Sequence, residues 1–487
     1  MVKHSKTGRK RQRKHRRRQA AFKDGFLNLF AWFLSDDSTF ASLKLHGNCK
    51  WVPRTLVCLT LVWAFSDARN LTDAFDEALE ITQKLLGPYG LLTTYQGFMN
   101  ALVGWSASLL PPLQALLRQR MEQVGGPFWR LDGWIPLAFD GSRSTTPRTV
   151  KNEAAFCAPN YGKSAKARSK QRKKKAQGLR KPPDNPQPQE PQTWITMMWH
   201  MGLRLAWDWR LGPSNASERE HVMNMVQRRK YPRQTLFCGD AGFIGYPLWS
   251  ALLKRGDFLV RVGANVHLLT EQADWQYTHE DEKGSVVWCW PKAAIRAKVP
   301  PLQLRLVRVR LGKEKMWMLT SVLEPDRLTN QQIVRFYKLR WGVEVEFRGL
   351  KQTLDRAKLR SRNDARLLVE LDWSILAMTL AQLFAIKEQV KAKAEKYDPT
   401  KRSLAKTLRA LRYCLRHLEA SPAQGKDLAT QLAEAQTDGY ARKRPKKARY
   451  RPKNKDKKPL GDPEIRLFDA EEQAELPRWR AAEKIPA

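Results

Sequence analysis

The segment from residue 134 to residue 262 restricts the fold more than any other part of the sequence. It alternates short apolar runs with helical patterns: WIPLAFD begins at Trp134, two strand-like runs cover 193–211, and TLFCGD covers 235–240. Helical patterns at 217–227 and in YPLWSALLKRG precede a further strand-like run, DFLVRVG. This order of strands and helices predicts the layers of an α/β fold. Ser217 and Glu220 form a capping-box pattern at the first of these helices.

Two acidic residues follow apolar strands directly. Asp140 ends WIPLAFD and precedes Gly141, while Asp240 ends TLFCGD. Open α/β sheets usually place ligands at the carboxyl edge of their strands, so we expect both side chains there. Two other acids are weaker candidates. No apolar strand leads into Asp132, and Asp208 lies between two tryptophans, which favours a solvated strand position.

A charged stripe marks the helical pattern from Tyr337 to Lys351, which Thr329 and Gln332 precede as a capping box. At about 100° per residue, Tyr337, Arg340, Glu344 and Lys351 share an arc of roughly 60°. Glu346 falls on the opposite side. The helix therefore presents one carboxylate between groups that bind phosphate.

Asp140, Asp240 and Glu344 suggest a common chemistry. Carboxylates that come together repel each other unless a positive charge neutralises them. Mg²⁺ prefers such hard oxygen ligands, and Mn²⁺ is the alternative. Two ions ~3.5–4 Å apart can activate a nucleophile and stabilise a leaving oxygen in phosphodiester chemistry. We therefore expect two divalent ions on these three side chains.

The formal charge of +40 predicts a polyanionic partner. Most of the excess lies in three runs, 1–18, 162–182 and 442–458, which hold ten, ten and eleven Lys or Arg residues. Each run could be a solvated tail, but contact with nucleic acid is the favoured interpretation. The run 163–181 is a candidate DNA-contacting loop.

The remaining sequence divides by composition. Residues 21–130 have helical spacing that suits either plain packing or a DNA-binding domain, with an interruption at Pro111-Pro112. Alternating β-branched and aromatic residues predict an insertion of three to five strands at 264–328. A buried helix is expected at 370–389 and another helix at 403–418. The predicted divisions are 1–20 (basic arm), 21–130, 131–263 (with a basic, Pro-rich loop at 151–192), 264–328, 329–435 and 436–487 (basic and mostly disordered).

Six widely spaced cysteines without a CxxC pair argue against a zinc ribbon and a disulfide framework. No signal-type apolar region follows the basic N-terminus, and the best apolar runs fall short of the ~20 residues of a membrane span. We expect a soluble, cytoplasmic and nucleoid-associated protein without a membrane partner.

The pattern Tyr337-x2-Arg340-x3-Glu344-x6-Lys351 resembles the C-terminal signature of IS4-type DDE transposases at every spacing. DGS at Asp140 and GDAGF around Asp240 resemble the family's two other motifs, and FLVRVG before a β-rich insertion also fits. The resemblance covers roughly 134–360. It implies an RNase H-like mixed sheet flanked by helices, with the insertion before the Glu344 helix and an N-terminal helical domain. The basic run 163–181 departs from the family pattern, because relatives are often compact there.

The resemblance also implies roles. Asp140, Asp240 and Glu344 would be the catalytic, metal-binding triad, and Tyr337, Arg340 and Lys351 would contact DNA phosphates. Trp317, or else Trp288 or Trp290, would stack on a flipped base, although ordinary packing is the competing explanation. The implied activity is cut-and-paste transposition of an insertion sequence. It comprises hydrolysis at the terminal inverted repeats and 3′-OH strand transfer into target DNA by a homodimer. Two alternatives remain: an inactive nucleic-acid-binding protein and a metal-dependent nuclease without strand transfer.

Overall fold

The computed structural model describes residues 21–157, 190–273, 275, 283–312, 314–393, 397–420, 427–437 and 460–483. The three basic runs lie outside the described residues. The predictions for the arm 1–20 and for the DNA-contacting loop 163–181 therefore stay predictions.

A single mixed sheet of ten strands organises the described part of the chain. The strands are β1 (Ile135–Thr145), β2 (Gln192–His200), β3 (Leu205–Gly212), β4 (Thr235–Gly239), β5 (Asp257–Val262), β6 (His267–Thr270), β7 (Ser285–Cys289), β8 (Leu302–Leu311), β9 (Glu314–Thr320) and β10 (Glu464–Leu467). Their order across the sheet is β10-β6-β7-β8-β9-β5-β4-β1-β2-β3.

The centre of the sheet confirms the predicted α/β fold. β1, β4 and β5 run parallel, while β2 and β3 form an antiparallel hairpin next to β1. Ser217 caps the helix at 218–227, since its hydroxyl accepts from the Glu220 N–H. The apolar runs are buried on both faces of the central strands, which is why they are nearly continuous in sequence.

The predicted insertion contains four strands, β6 to β9, within the expected range. They do not form a separate unit, because β9 pairs antiparallel with β5 from Leu259↔Thr320 to Val262↔Trp317. The insertion therefore extends the central sheet at the edge opposite the β2–β3 hairpin.

Helices cover the sheet. They are α1 (Ala21–Phe33), α2 (Pro53–Phe65), α3 (Leu71–Leu86), α4 (Tyr95–Gly125), α5 (Val150–Phe156), α6 (Glu218–Gln227), α7 (Tyr246–Leu253), α8 (Lys292–Arg296), α9 (Asn330–Arg340), α10 (Gly342–Arg348), α11 (Asp364–Lys393), α12 (Leu404–Arg416), α13 (Leu428–Ala433) and α14 (Ala470–Glu483). The expected interruption of α4 at Pro111-Pro112 is wrong. The helix continues through both prolines because the neighbouring Leu109, Leu110 and Leu113 are buried and hold its course.

The N-terminal helices share one hydrophobic core with the sheet. α11 lies at its centre and contacts α2, α4 and β3, which confirms the predicted buried helix. By length and composition α11 could cross a membrane, contrary to the expectation that every apolar run is too short. Its apolar window is 89% buried inside the protein, as in the core helix of a soluble fold.

The expectation of a mostly disordered C-terminal tail is wrong for 460–483. β10 pairs parallel with β6. Phe468, directly after β10, and Leu476 of α14 are buried in one cluster with Trp288 and Trp290. Arg480 also forms an ion pair with Glu271. These apolar residues are too sparse among charges to stand out in the sequence, and their burial depends on a partner surface in the insertion.

Candidate active site

Asp140 and Asp240 lie side by side on neighbouring parallel strands. β1 and β4 pair in register from Ile135↔Thr235 to Ala138↔Cys238. Two more residues along both chains bring Asp140 level with Asp240, and neighbouring strands are about 4.8 Å apart. The expectation that Asp140 ends its strand is wrong, since β1 continues to Thr145 in pairing with β2. It is β4 that ends, at Gly239, and this leaves Asp140 beside an open strand end.

Backbone N–H groups orient both carboxylates. Gly141 N donates to Asp140 Oδ1 and Gly242 N donates to Asp240 Oδ1, each at 2.8 Å. Each aspartate keeps further oxygen lone pairs for a ligand. The small residues that follow each aspartate in sequence therefore help to fix its side chain.

The predicted charged helix is a helical stretch from Asn330 to Thr353, although it is not regular. Thr329 and Gln332 form the reciprocal capping box of α9, as predicted. The helix breaks at Trp341, continues as α10, and ends in a π-helical turn, Gly349–Thr353. Lys351 lies in that turn, and its Nζ donates to Ser142 Oγ at 2.7 Å. π-Helical turns are frequent at functional sites.

Arg340 brings a buried positive charge to Asp140. Its side chain is 3% exposed, and its guanidinium lies 5.3 Å from the centre of the Tyr337 ring and 5.2 Å from that of Trp341. Its Nε is buried without a hydrogen-bond partner among the described residues. Tyr337 is only 4% exposed, so its ring first serves as a platform for Arg340.

The charges of the other two predicted acids act on Asp140. Burial raises the pKa of Asp140 from its ordinary 3.8 to about 6. The Gly141 N–H and Arg340 oppose this shift, whereas the charges of Asp240 and Glu344 add to it. Glu344 is exposed on α10. Asp140 therefore responds to charges that lie about 100 and 200 positions further along the chain.

Glu218, in the first turn of α6, is a fourth carboxylate at this site. A Cβ on Gly141 would lie 2.0 Å from Glu218 Oε1, so only glycine leaves room for this side chain. Burial, and then the charges of Asp140 and Asp240, raise the pKa of Glu218 to about 7, while Arg143 opposes the shift. Sequence reasoning missed this residue because an acid in the first turn of a helix is explained by the helix dipole alone.

The acids that the sequence disfavoured have structural partners. Glu346 is buried on the far side of α10, where it accepts from Gln382 Nε2 at 2.7 Å. Asp208 is buried rather than solvated, and pairs with Arg229 at 2.7 Å. Asp132 pairs with Arg335 at 2.7 Å.

The tryptophans predicted to stack on a base are buried. Trp317 is 5% exposed, and its indole N–H donates to Asp462 at 2.6 Å. Trp288 and Trp290 are 3% and 4% exposed. As placed here, none of these rings offers a free face to DNA, because α14 and the segment before β10 cover this side of the insertion. Trp341 is 49% exposed, three residues before Glu344, and sequence reasoning passed over it.

The carboxylates of Asp140, Asp240, Glu344 and Glu218 offer the oxygen ligands that Mg²⁺ prefers. Among the described residues, however, no group of three or more His, Cys, Asp or Glu side chains is already arranged to hold a metal ion. Glu344 is exposed and long enough to change its rotamer. A divalent cation would relieve the repulsion that the charges of Asp240 and Glu344 exert on Asp140.

Comparisons with known proteins agree with the resemblance read from the sequence. Residues 210–380 match the family model described as "Transposase DDE domain". The match includes Asp240, Glu344 and the basic residues of the helical stretch, while Asp140 lies before it. It confirms the resemblance to DDE transposases, a family that generally uses divalent metal ions. No curated protein matches the chain.

A solved structure also aligns with the chain: a cryo-EM structure of the piggyBac transposase synaptic complex with hairpin DNA. The alignment has a TM-score of 0.37 and 13% sequence identity, and it covers 85% of this chain and 86% of that one.

Proposed function

We propose that this chain, which carries a match to the transposase DDE domain, is an IS4-type cut-and-paste DNA transposase. The observation that supports this most strongly is the register of β1 and β4, which sets Asp140 level with Asp240 at an open strand end. The charge of Glu344, from the helical stretch, also acts on Asp140. Its substrates are the terminal inverted repeats of an insertion sequence and a target DNA.

The three carboxylates would hold two divalent ions, Mg²⁺ or Mn²⁺. When bound, such ions activate a hydroxyl nucleophile and stabilise the leaving oxygen of a phosphodiester. The chain's own contribution is to position the reacting groups. Asp140 and Asp240 are held by backbone N–H groups, and α10 would supply Glu344 as the third ligand.

Arg340 and Lys351 supply the positive charge that a phosphate requires. Arg340 has a buried Nε without a partner among the described residues, and Lys351 already reaches Ser142 beside Asp140. A phosphate oxygen could accept from both groups. Water would be the nucleophile at the element ends, and the freed 3′-OH would then attack the target strand. A homodimer would hold the paired ends, and the protein would act in the cytoplasm at the nucleoid.

The test uses the full-length protein and DNA from the boundaries of its own element. In Mg²⁺, the wild type should nick the terminal repeats and join them to a target. Asp140→Asn, Asp240→Asn and Glu344→Gln should each abolish both steps while DNA binding is retained. Glu220→Gln is the control, since Glu220 is exposed in α6. Undiminished strand transfer by any triad variant would refute the proposal.

The same assay separates the two alternatives. Nicking without joining, by a protein whose triad variants lose nicking, identifies a nuclease. Binding without nicking in either Mg²⁺ or Mn²⁺ identifies a nucleic-acid-binding protein with an inactive core.

A further inference from the structure

We propose that Glu218 is a fourth metal-ligating carboxylate, which completes the divalent-cation site from the face of the sheet opposite Glu344. The inference rests on the proposed function, because it concerns the same pair of aspartates. It adds a residue that lies outside the three-acid signature.

The two faces follow from strand geometry. Side chains alternate along β1, so Asp140 and Ser142 point to one face and Gly141 to the other. The helical stretch 342–353 approaches the first face, where Lys351 contacts Ser142. α6 approaches the second face, where Glu218 Oε1 fills the place of the missing Gly141 side chain. The helices that carry the two glutamates thus approach β1 from opposite faces.

Glu218 is held there although its surroundings oppose a negative charge. Its Oε1 lies against Gly141, the residue next to Asp140, so a second negative charge is nearby. No hydrogen bond or ion pair to its carboxylate is found among the described residues, and Arg143, the nearby positive charge, lies over the Trp194 ring at 4.2 Å. A carboxylate in such a place is costly unless a cation joins the group.

A second observation indicates that a ligand belongs here. The Arg340 guanidinium is coupled to Asp140, is 3% exposed, and has a buried Nε–H without an acceptor among the described residues. A buried donor without a partner is rare in proteins. A phosphate oxygen held between Arg340 and the metal site would satisfy it. The site is therefore built to receive both an anion and cations.

The test measures metal binding directly. Mn²⁺ is titrated into the full-length protein without DNA, with calorimetry as the readout. Glu218→Gln should weaken Mn²⁺ affinity by about 10- to 100-fold, the range seen when groups supporting a metal are removed. Glu220→Gln, in the same helical turn but exposed, should bind as the wild type does. Glu218→Asp keeps the charge and shortens the side chain, so its affinity should lie between the two.

Iron-dependent cleavage of the polypeptide gives an independent readout. Fe²⁺ with ascorbate and peroxide should cut the wild-type backbone near residues 140, 240 and 218, and Glu218→Gln should lose the cut near 218. Wild-type affinity together with the wild-type cleavage pattern in Glu218→Gln would overturn the inference while leaving the proposed function intact. A different result would be that Glu218→Gln loses Mn²⁺ binding while Asp140→Asn keeps it. Asp140 would then not belong to the site, and both the inference and the proposed function would fail.

Discussion

Asp140 is predicted to destabilise the fold that positions it. Burial, with help from Asp240 and Glu344, raises its pKa from 3.8 to about 6. A shift of about 2 pKa units corresponds to roughly 3 kcal/mol between the ionised and neutral forms. At pH 8 Asp140 is ionised in both the folded and the unfolded protein, so the folded protein bears this cost in full. Asp140→Asn removes the charge and keeps an oxygen for the Gly141 N–H. It should raise the free energy of unfolding at pH 8 by about 1–3 kcal/mol.

The pH dependence distinguishes this cause from a general packing effect. Because the folded pKa is raised, the folded protein takes up a proton at Asp140 before the unfolded chain does as the pH falls. The cost therefore shrinks between about pH 6 and pH 3.8 and is absent below that range. Urea unfolding in EDTA should show the full advantage of Asp140→Asn at pH 8 and about half of it at pH 5.

Divalent metal should reverse the order of stability. A cation on the carboxylates removes their repulsion and binds only the folded site, so Mg²⁺ should stabilise the wild type more than Asp140→Asn. Glu220→Gln should follow the wild type under every condition. An Asp140→Asn protein that is no more stable than the wild type at pH 8, or whose advantage is the same at pH 5, would refute the electrostatic reasoning.

Three further predictions follow from the site and its surroundings. Lys351→Ala should weaken DNA binding and lower the slope of log K against log salt by about 0.9, because one phosphate contact is lost. An unchanged slope in filter-binding titrations would show that Lys351 does not contact a phosphate. Trp341→Ala should weaken binding to element ends by about 1–3 kcal/mol with little loss of stability, because Trp341 is exposed. Trp317→Ala should mainly lower the thermal midpoint, because Trp317 is buried. The opposite pattern would show that Trp317 is the residue that stacks on a base. Phe468→Ala should lower the free energy of unfolding by about 3 kcal/mol, because Phe468 is buried edge-on against Trp288, and DNA cleavage should be retained. Unchanged urea unfolding would show that the C-terminal segment is not part of the folded body.

Local signals in the sequence were sufficient where the fold depends on local physics. Caps at Ser217 and Thr329 marked the starts of two helices, and the apolar runs before Asp140 and Asp240 marked two central strands. The spacing from Tyr337 to Lys351 indicated one helical stretch. The π-helical turn and the break at Trp341 have no comparable local signal, since they depend on contacts with β1 and the core.

The errors arose where distant contacts decide the structure. Pro111 and Pro112 would end an isolated helix, but buried leucines on both sides keep α4 continuous. The tail at 460–483 has few apolar residues, and these find their partners in the insertion. Trp317 belongs to a β-rich segment that suits either packing or stacking, and only the position of Asp462 shows that its N–H is already satisfied.

Gly141 is the local feature of the sequence that reflects the close approach of Glu218 to β1. A glycine in the interior of a strand weakens it, and often marks a place where another group approaches closely. In the sequence this glycine follows the predicted end of the strand at Asp140, but the structure shows that β1 continues through it. The conformational freedom of glycine is therefore not what this position needs. It needs the absence of a Cβ, because Glu218 Oε1 occupies that space. Gly141→Ala should thus displace Glu218 and reproduce the weakened Mn²⁺ binding of Glu218→Gln, although every carboxylate is retained. Wild-type Mn²⁺ affinity in a folded Gly141→Ala protein would show that the position of Glu218 does not matter to the site.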